Sequence, residues 1–164
     1  MSVEINGVAH IQITINEPAR SLPFWESLCH FMGMRTLIRN DDTVYCIGGR
    51  TGILVRAAPD ALRGAQFDQW RVGLHHFCLR ARSPEDVDAI YEHVCSLGAH
   101  IVRAPEAGEH FAPGYYSVLF EDPDGIRVEI NHVPGQGHFG GAGRLGPDGP
   151  GPASTYGEEG LGDG

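Results

Sequence analysis

The chain has few basic residues. Twelve lysines and arginines stand against 21 aspartates and glutamates, for a formal net charge of −9 over 164 residues. This acidic balance argues against nucleic acid or an anionic membrane surface as the main partner. Long apolar runs are also lacking, since no stretch approaches the ~18 residues that a membrane span needs. We therefore expect a protein that binds neither nucleic acid nor membrane.

Targeting signals and cysteine pairs are lacking as well. Residues 1–10 do not show the basic and then apolar pattern of a secretory signal. The four cysteines form no C-x-x-C pair and no small-scaffold disulfide framework. Both features favour a cytoplasmic protein with reduced thiols. With 41% hydrophobic residues, the chain can bury an ordinary core as one domain or as two half-modules that share a core.

Two halves of the sequence repeat one order of predicted elements. Alternating apolar and polar residues predict strands, and apolar residues at helical spacing predict one helix in each half. The predicted first half is a strand at 8–15, a helix at about 19–32 and strands at 34–39, 43–48 and 51–57. The predicted second half is a strand at 73–81, a helix at about 84–97 and strands at about 100–104, 115–121 and 126–133. The order is βαβββ in both.

The halves also align residue by residue at an offset of 66, which places His10 on His76 and Trp25 on Tyr91. Together with the repeated element order, these matches indicate an internal duplication. The predicted fold class is therefore α+β, with one domain at 1–133 built from two βαβββ modules. The first module spans about 5–57 and the second about 73–133.

A different composition begins at position 134. Glycine and proline supply 16 of the 31 residues from 134 to 164. Such a segment cannot bury enough apolar surface to offset the entropy of ordering it. We expect a flexible C-terminal tail outside the domain.

One set of polar strand residues stands out. Asp122-Pro123-Asp124-Gly125 predicts a tight turn, and Glu129 lies on the polar face of the strand that follows. His10 and His76 occupy the polar faces of their own strands. If the two modules bring these faces together, two imidazoles and one carboxylate can hold a divalent ion with open positions. Fe(II) suits this set, and Mn(II), Ni(II) or Zn(II) also fit. The alternative is that each histidine is merely solvated.

These motifs resemble the vicinal oxygen chelate superfamily. The similar stretches are His10–Ile13, His76–Leu79 and Asp122–Glu129, and the resemblance covers about 5–133. The superfamily includes glyoxalase I, bleomycin resistance proteins and type I extradiol dioxygenases. The resemblance implies paired βαβββ modules around one metal, which chelates two neighbouring oxygens of a small-molecule substrate.

The last strand of the first module bears on the reaction. Glyoxalase I has a fourth metal ligand there, whereas residues 51–57 carry no carboxylate, amide or histidine. A site with three ligands leaves more open positions. This disfavours the glyoxalase I reaction and permits a dioxygenase, which must accommodate a bidentate substrate and O2.

The spacing from His110 to Glu129 resembles the extradiol dioxygenase signature. His110 matches a histidine that assists the substrate, whereas Leu119 stands where the family has a tyrosine. The resemblance therefore leaves a missing hydrogen-bond donor, which the nearby Tyr115 or Tyr116 could supply. We take Tyr116 as the candidate.

The leading interpretation is an Fe(II) extradiol-type dioxygenase that cleaves a catechol-like ring with O2, expected to be a homodimer. Its metal ligands would be His10, His76 and Glu129, with His110 as the acid–base group and Tyr116 as a further catalytic residue. Two alternatives stay open: a glyoxalase-like lyase or isomerase, and an antibiotic-binding resistance protein without catalysis. The sequence shows no glycine-rich phosphate loop, so no organic cofactor site is predicted.

Three further polar residues have plainer interpretations. Arg56 and Arg80 could bind a substrate carboxylate bidentately, but strand arginines are more often solvated, and that is the interpretation we favour. His75 is expected on the opposite face from His76, as a packing or surface residue.

Overall fold

The computed structural model of the chain describes residue 5 and residues 7–134. Its first half consists of β1 (His10–Ile15), α1 (Pro18–Phe31), β2 (Arg35–Arg39), β3 (Thr43–Gly48) and β4 (Thr51–Ala57), followed by a short 3-10 turn at Asp60–Leu62. Its second half consists of β5 (Phe77–Arg80), α2 (Pro84–Ser96), β6 (His100–Ala107), β7 (Tyr116–Glu121) and β8 (Arg127–His132). The predicted α+β fold of two βαβββ modules is confirmed.

The two modules have the same sheet topology. The strand orders are β1-β4-β3-β2 and β5-β8-β7-β6, and the first and last strand of each module run parallel. The registers are equivalent too, since Gln12 pairs with Leu54 in the first module and Cys78 pairs with Glu129 in the second. The internal duplication seen in the sequence is thus also seen in the structure, where equivalent residues of the two modules occupy equivalent positions in the strand pairing.

Local residue chemistry explains where the helices begin and end. The Ser83 hydroxyl accepts from the Asp86 backbone N–H, and the Asp86 carboxylate accepts from the Ser83 N–H, both at 3.1 Å. This reciprocal cap starts α2 at Pro84, where a missing N–H costs nothing. Gly33 and Gly98 both adopt φ +76° after the helices, a left-handed conformation that favours glycine and ends each helix.

The helices and both sheets share one apolar core. Ile13 and Ile15 of β1 are buried in it, whereas His10, Gln12 and Thr14 on the other face are exposed. This is the predicted alternation, and it places one polar sheet face opposite the helices. The largest fully buried side chains are Trp25, Phe120, Ile15, Leu22, Leu28, Ile53 and Ile130.

The turn between β7 and β8 joins the two modules. The Trp25 indole N–H donates to the Asp122 carboxylate at 2.8 Å, and the Ser21 hydroxyl donates to Asp124 at 2.8 Å. The Asn16 side chain donates to the other oxygen of Asp124 at 2.9 Å. Both carboxylates are buried. The Asp-Pro-Asp-Gly stretch was predicted as a turn, and in the structure it also anchors the second module to α1 of the first.

The strand predicted at 73–81 is shorter, because β5 begins only at Phe77, so His76 lies just before the strand. The predicted flexible tail, apart from its first residue, lies outside the described residues, and the domain boundaries stay a prediction. Within the described part of the chain, no helix is long and apolar enough to cross a membrane.

Candidate metal and substrate site

His76 and Glu129 lie next to each other. The Nε2 atom of His76 is 3.2 Å from Oε2 of Glu129. Two neighbouring ligands of one ion, each bonded at about 2.1 Å, are themselves about 3 Å apart. Two of the three predicted metal ligands are therefore placed as such ligands would be.

His10 does not join this pair within one chain. It begins β1 opposite Gly52 and is exposed. Between residues 7 and 134 and at residue 5, no three histidine, cysteine, aspartate or glutamate side chains come close enough to hold a metal ion. The three-ligand site accordingly stays a prediction, and it requires a His10 side chain to lie next to His76 and Glu129.

Glu129 has two further partners on its other oxygen. The Tyr115 hydroxyl donates to Oε1 at 2.7 Å, and the Arg103 guanidinium donates to it at 3.1 Å. Burial alone would raise the pKa of Glu129, but hydrogen bonds from His76, Tyr115 and Ser117 and the charge of Arg103 outweigh it, and the pKa falls to about 2. The carboxylate is therefore ionised and fixed in orientation, as a metal ligand must be.

Tyr115, rather than the predicted Tyr116, reaches the site. The Tyr116 hydroxyl donates to Asp88 of α2 at 2.8 Å, on the helix side of the sheet. Successive strand residues face opposite sides, so Tyr115 lies on the side of Glu129. Burial raises the pKa of Tyr115, and the neighbouring carboxylate of Glu129 raises it further although a hydrogen bond with Asn131 lowers it, so the hydroxyl keeps its proton.

His110 lies in the loop between β6 and β7 and is exposed. Its ring packs on Phe111 with centroids 3.9 Å apart, and Phe111 packs on Tyr115 at 5.1 Å. These rings are its connection to Glu129, because no hydrogen bond of the described residues joins His110 to the site. Its predicted role as an acid–base group stays a prediction.

Two residues outside the predicted set, His75 and Arg103, contact the site. His75 was expected on the opposite face from His76, as a packing or surface residue. It is exposed, but its Nδ1 lies 2.7 Å from Nδ1 of His76, so one ring donates and the other accepts. This contact fixes the ring orientation that presents Nε2 of His76 to Glu129. Arg103 binds Glu129 from β6. The sequence did offer a signal for His75, because it is adjacent to His76. Nothing in the sequence distinguished Arg103 from other arginines.

The first module contributes a different set of residues. Leu54 holds the register position that Glu129 holds in the second module, so no fourth ligand faces His10 from there. Tyr45 pairs with Leu54 and therefore shares the face of His10. A Cβ built on Gly52 would lie 2.6 Å from the Tyr45 hydroxyl. Tyr45 thus packs over Gly52, the residue that pairs with His10, and a larger residue at position 52 would clash with the Tyr45 ring.

Comparison with known proteins agrees with the fold. A protein of Bacillus subtilis (strain 168), YqjT, is 27% identical over 124 residues, which are 74% of this chain and 94% of that protein. A crystal structure from Bacillus halodurans aligns with a TM-score of 0.67 at 27% identity, covering 78% of this chain and 96% of that one. Lactoylglutathione lyase from Agrobacterium tumefaciens aligns with a TM-score of 0.56 at 18% identity, over 78% and 94% of the two chains, and shares the fold.

A family model matches most of the chain. Its description is the Glyoxalase/Bleomycin resistance protein/Dioxygenase superfamily, and it covers residues 7–130. That range includes nearly all of both modules and the positions of all three predicted metal ligands. The chain therefore belongs to the Glyoxalase/Bleomycin resistance protein/Dioxygenase superfamily.

Proposed function

We propose that the protein is a metal-dependent, ring-cleaving dioxygenase of this superfamily that acts on a catechol-like substrate. The observation that carries the proposal is the 3.2 Å approach of His76 to Glu129 on a sheet whose partner module offers Leu54 instead of a fourth ligand. With three protein ligands and two substrate oxygens on a six-coordinate ion, one position would then stay open for water or O2.

Residues of both modules would hold the ion. Glu129 would supply a charged oxygen, His76 a neutral imidazole and His10 a second imidazole. Fe(II) held by these residues would supply the Lewis acidity that lowers the pKa of two adjacent substrate oxygens and the redox chemistry for O2. Mn(II), Ni(II) and Zn(II) fit the same donors.

The protein's own groups then handle the protons. The Tyr115 hydroxyl keeps its proton and donates a hydrogen bond to Oε1 of Glu129, so Oε2, which faces His76, is the oxygen that would bind the ion. His110, on the loop that packs against Tyr115, would take a proton from a substrate hydroxyl.

A second copy of the chain would supply His10. Among the described residues, β1 hydrogen-bonds only to β4 and β5 only to β8, so each sheet has an open edge beside a predicted ligand. An exposed edge of this kind is suited to association with another copy. In a symmetric homodimer, His10 of one protomer would meet His76 and Glu129 of its partner.

Anaerobic loading with Fe(II), followed by a panel of catechols and O2, tests the proposal. We expect oxygen uptake together with a yellow ring-opened product. Glu129→Ala should lose both metal and activity, whereas Glu92→Ala, which removes an exposed carboxylate of α2, should keep both. Metal binding without oxygen uptake from any catechol would favour the glyoxalase-like lyase or isomerase instead.

One observation favours an alternative without metal. Arg103, Tyr115 and His76 together engage both oxygens of Glu129. This arrangement satisfies the buried charge as an ion would. A resistance protein that only binds its antibiotic would be built this way, and its drug affinity would not change when a chelator is added.

A further inference from the structure

A cavity of about 600 Å3 lies on the first module. Gln12 and Thr14 line it from β1, and Arg56 lines it from β4. Arg56 is opposite Thr14 in the register, as Gly52 is opposite His10. Residues that are directly paired, or two apart along a strand, share one sheet face. The cavity therefore continues along the face that carries His10.

The charges in this cavity are unevenly paired. Of its two arginines, Arg63 is occupied: it forms an ion pair with Asp60 at 3.1 Å and donates to the Ala58 carbonyl at 3.1 Å. The Arg56 guanidinium makes no hydrogen bond or ion pair with any other residue that the structure describes. Asp42, the other acidic residue of the lining, accepts from the Thr43 hydroxyl. Of the two guanidinium groups that line the cavity, that of Arg56 thus has no partner among the described residues.

We propose that this cavity binds a carboxylate of the substrate, with Arg56 as the anchoring cation. The planar guanidinium can donate two parallel hydrogen bonds to a carboxylate, and Gln12 and Thr14 offer further neutral donors. A single negative charge matches the one unpaired arginine. A dianion such as a phosphate monoester would meet Asp42 and Asp60 with no second free cation.

The position of the cavity sets the shape of the substrate. Thr14 is four residues beyond His10, which is about 13 Å along an extended strand. This part of the inference rests on the proposed function, since it takes His10 as a ligand of the ion. The substrate class is then an elongated aromatic carboxylate, with the adjacent oxygens at one end and the carboxylate at the other. A cavity of this size is in the usual range for such an organic group.

The subsite can be tested without metal and without chelating oxygens. Phenylalkanoates of increasing chain length, and their primary amides, would be titrated into the metal-free full-length protein by calorimetry. We expect the acids to bind about tenfold more tightly than the amides, as charge-assisted hydrogen bonds require. Arg56→Gln should abolish that difference. Arg82→Gln, which removes an exposed arginine of the second module, should leave it unchanged.

The link to the proposed metal site has its own measurement. Dihydroxyphenyl alkanoates would be titrated with and without Mn(II). We expect Mn(II) to tighten binding in wild type and in Arg56→Gln, and the carboxylate to tighten it only where Arg56 is present. A carboxylate preference without any Mn(II) effect would keep the subsite and reject the proposed function.

Other outcomes would overturn the subsite itself. These are equal affinity of wild type for acids and amides, absence of phenylalkanoate binding at millimolar concentration, or equal losses in Arg56→Gln and Arg82→Gln. Circular dichroism of both variants checks that they fold. If Mn(II) tightens the binding of dihydroxyphenyl compounds but the carboxylate does not change their affinity, the subsite would be rejected and the proposed function kept.

Discussion

The indole N–H of Trp25 donates to the carboxylate of Asp122 at 2.8 Å across 97 residues of sequence. Trp25 is fully buried on α1, and Asp122 begins the turn between β7 and β8. The same carboxylate accepts the backbone N–H groups of Asp124 and Ile126 at 2.8 Å each. One buried acid therefore shapes the turn that leads to Glu129 and ties it to the first module.

Trp25→Phe should destabilise the protein strongly. The substitution removes both buried volume and a hydrogen bond to a buried carboxylate, and we expect a loss of about 2–4 kcal/mol in the free energy of unfolding. Chemical denaturation followed by circular dichroism measures it. The matched control is Trp70→Phe at an exposed tryptophan, which should change stability by less than about 0.5 kcal/mol. Equal effects of the two substitutions would contradict the anchoring role of Trp25.

Asp122 should make stability depend on pH. Burial raises the pKa of Asp122 from 3.8 to about 6 despite hydrogen bonds from Ile126, Trp25 and Asp124. Because the folded state favours the protonated acid, its contribution is fully present below about pH 4 and is lost as the pH rises through 6. The stability of wild type relative to Asp122→Asn should therefore fall by up to about 3 kcal/mol between pH 4 and pH 7.

Denaturation of both proteins across that pH range gives the difference directly. Asp41→Asn, at an exposed turn residue between β2 and β3, serves as the control and should show a pH profile parallel to that of wild type. A stability difference between wild type and Asp122→Asn that stays constant from pH 4 to pH 7 would argue against the raised pKa.

Patterns within single elements predicted much of this structure. Strand alternation put His10 on the polar face of its strand, and apolar residues at helical spacing predicted a helix at about 84–97, close to the observed α2. The turn at Asp122 was predicted from its residue types alone. Its contact with Trp25 was not, because that contact depends on how two modules pack rather than on any local sequence preference.

The site shows the same limit in the choice between two tyrosines. Tyr115 and Tyr116 are neighbours, and a shift of one residue in strand register exchanges their faces. The sequence predicted a strand at 115–121 without fixing which of the two lies beside Glu129. The pairing of Leu119 with Glu129 in β7 and β8 fixes it. His10 illustrates the larger gap, since no local pattern tells whether two polar faces meet within one chain or between two.

Tyr115→Phe should weaken metal binding. The hydroxyl orients Glu129 through Oε1, and loss of such a supporting hydrogen bond costs about 10–100-fold in metal affinity. Calorimetric titration with Mn(II) or Zn(II) at fixed pH measures this change. Tyr116→Phe is the matched control, because its hydroxyl binds Asp88 on the far side of the sheet. A larger loss in Tyr116→Phe than in Tyr115→Phe would restore the assignment made from the sequence.

A mixture of two inactive variants should recover metal sites if His10 comes from a second copy. His10→Ala alone and Glu129→Ala alone each lack a ligand in every site. In a mixed dimer, the His10→Ala chain supplies an intact His76 and Glu129, and the Glu129→Ala chain supplies His10. Random re-association of equal amounts should therefore restore roughly a quarter of the wild-type sites, since half of the dimers are mixed and each has one complete site.

Unfolding and refolding the two variants together, followed by measurement of bound metal per chain, gives this fraction. The two variants refolded separately and then combined just before measurement are the control, and they should bind no metal at full affinity. Recovery in the co-refolded sample would assign the site to the interface between chains. The opposite result is no metal binding in the mixture while wild type refolded in parallel retains its metal. It would mean that all three ligands of a site come from one chain, because every site would then lack either His10 or Glu129.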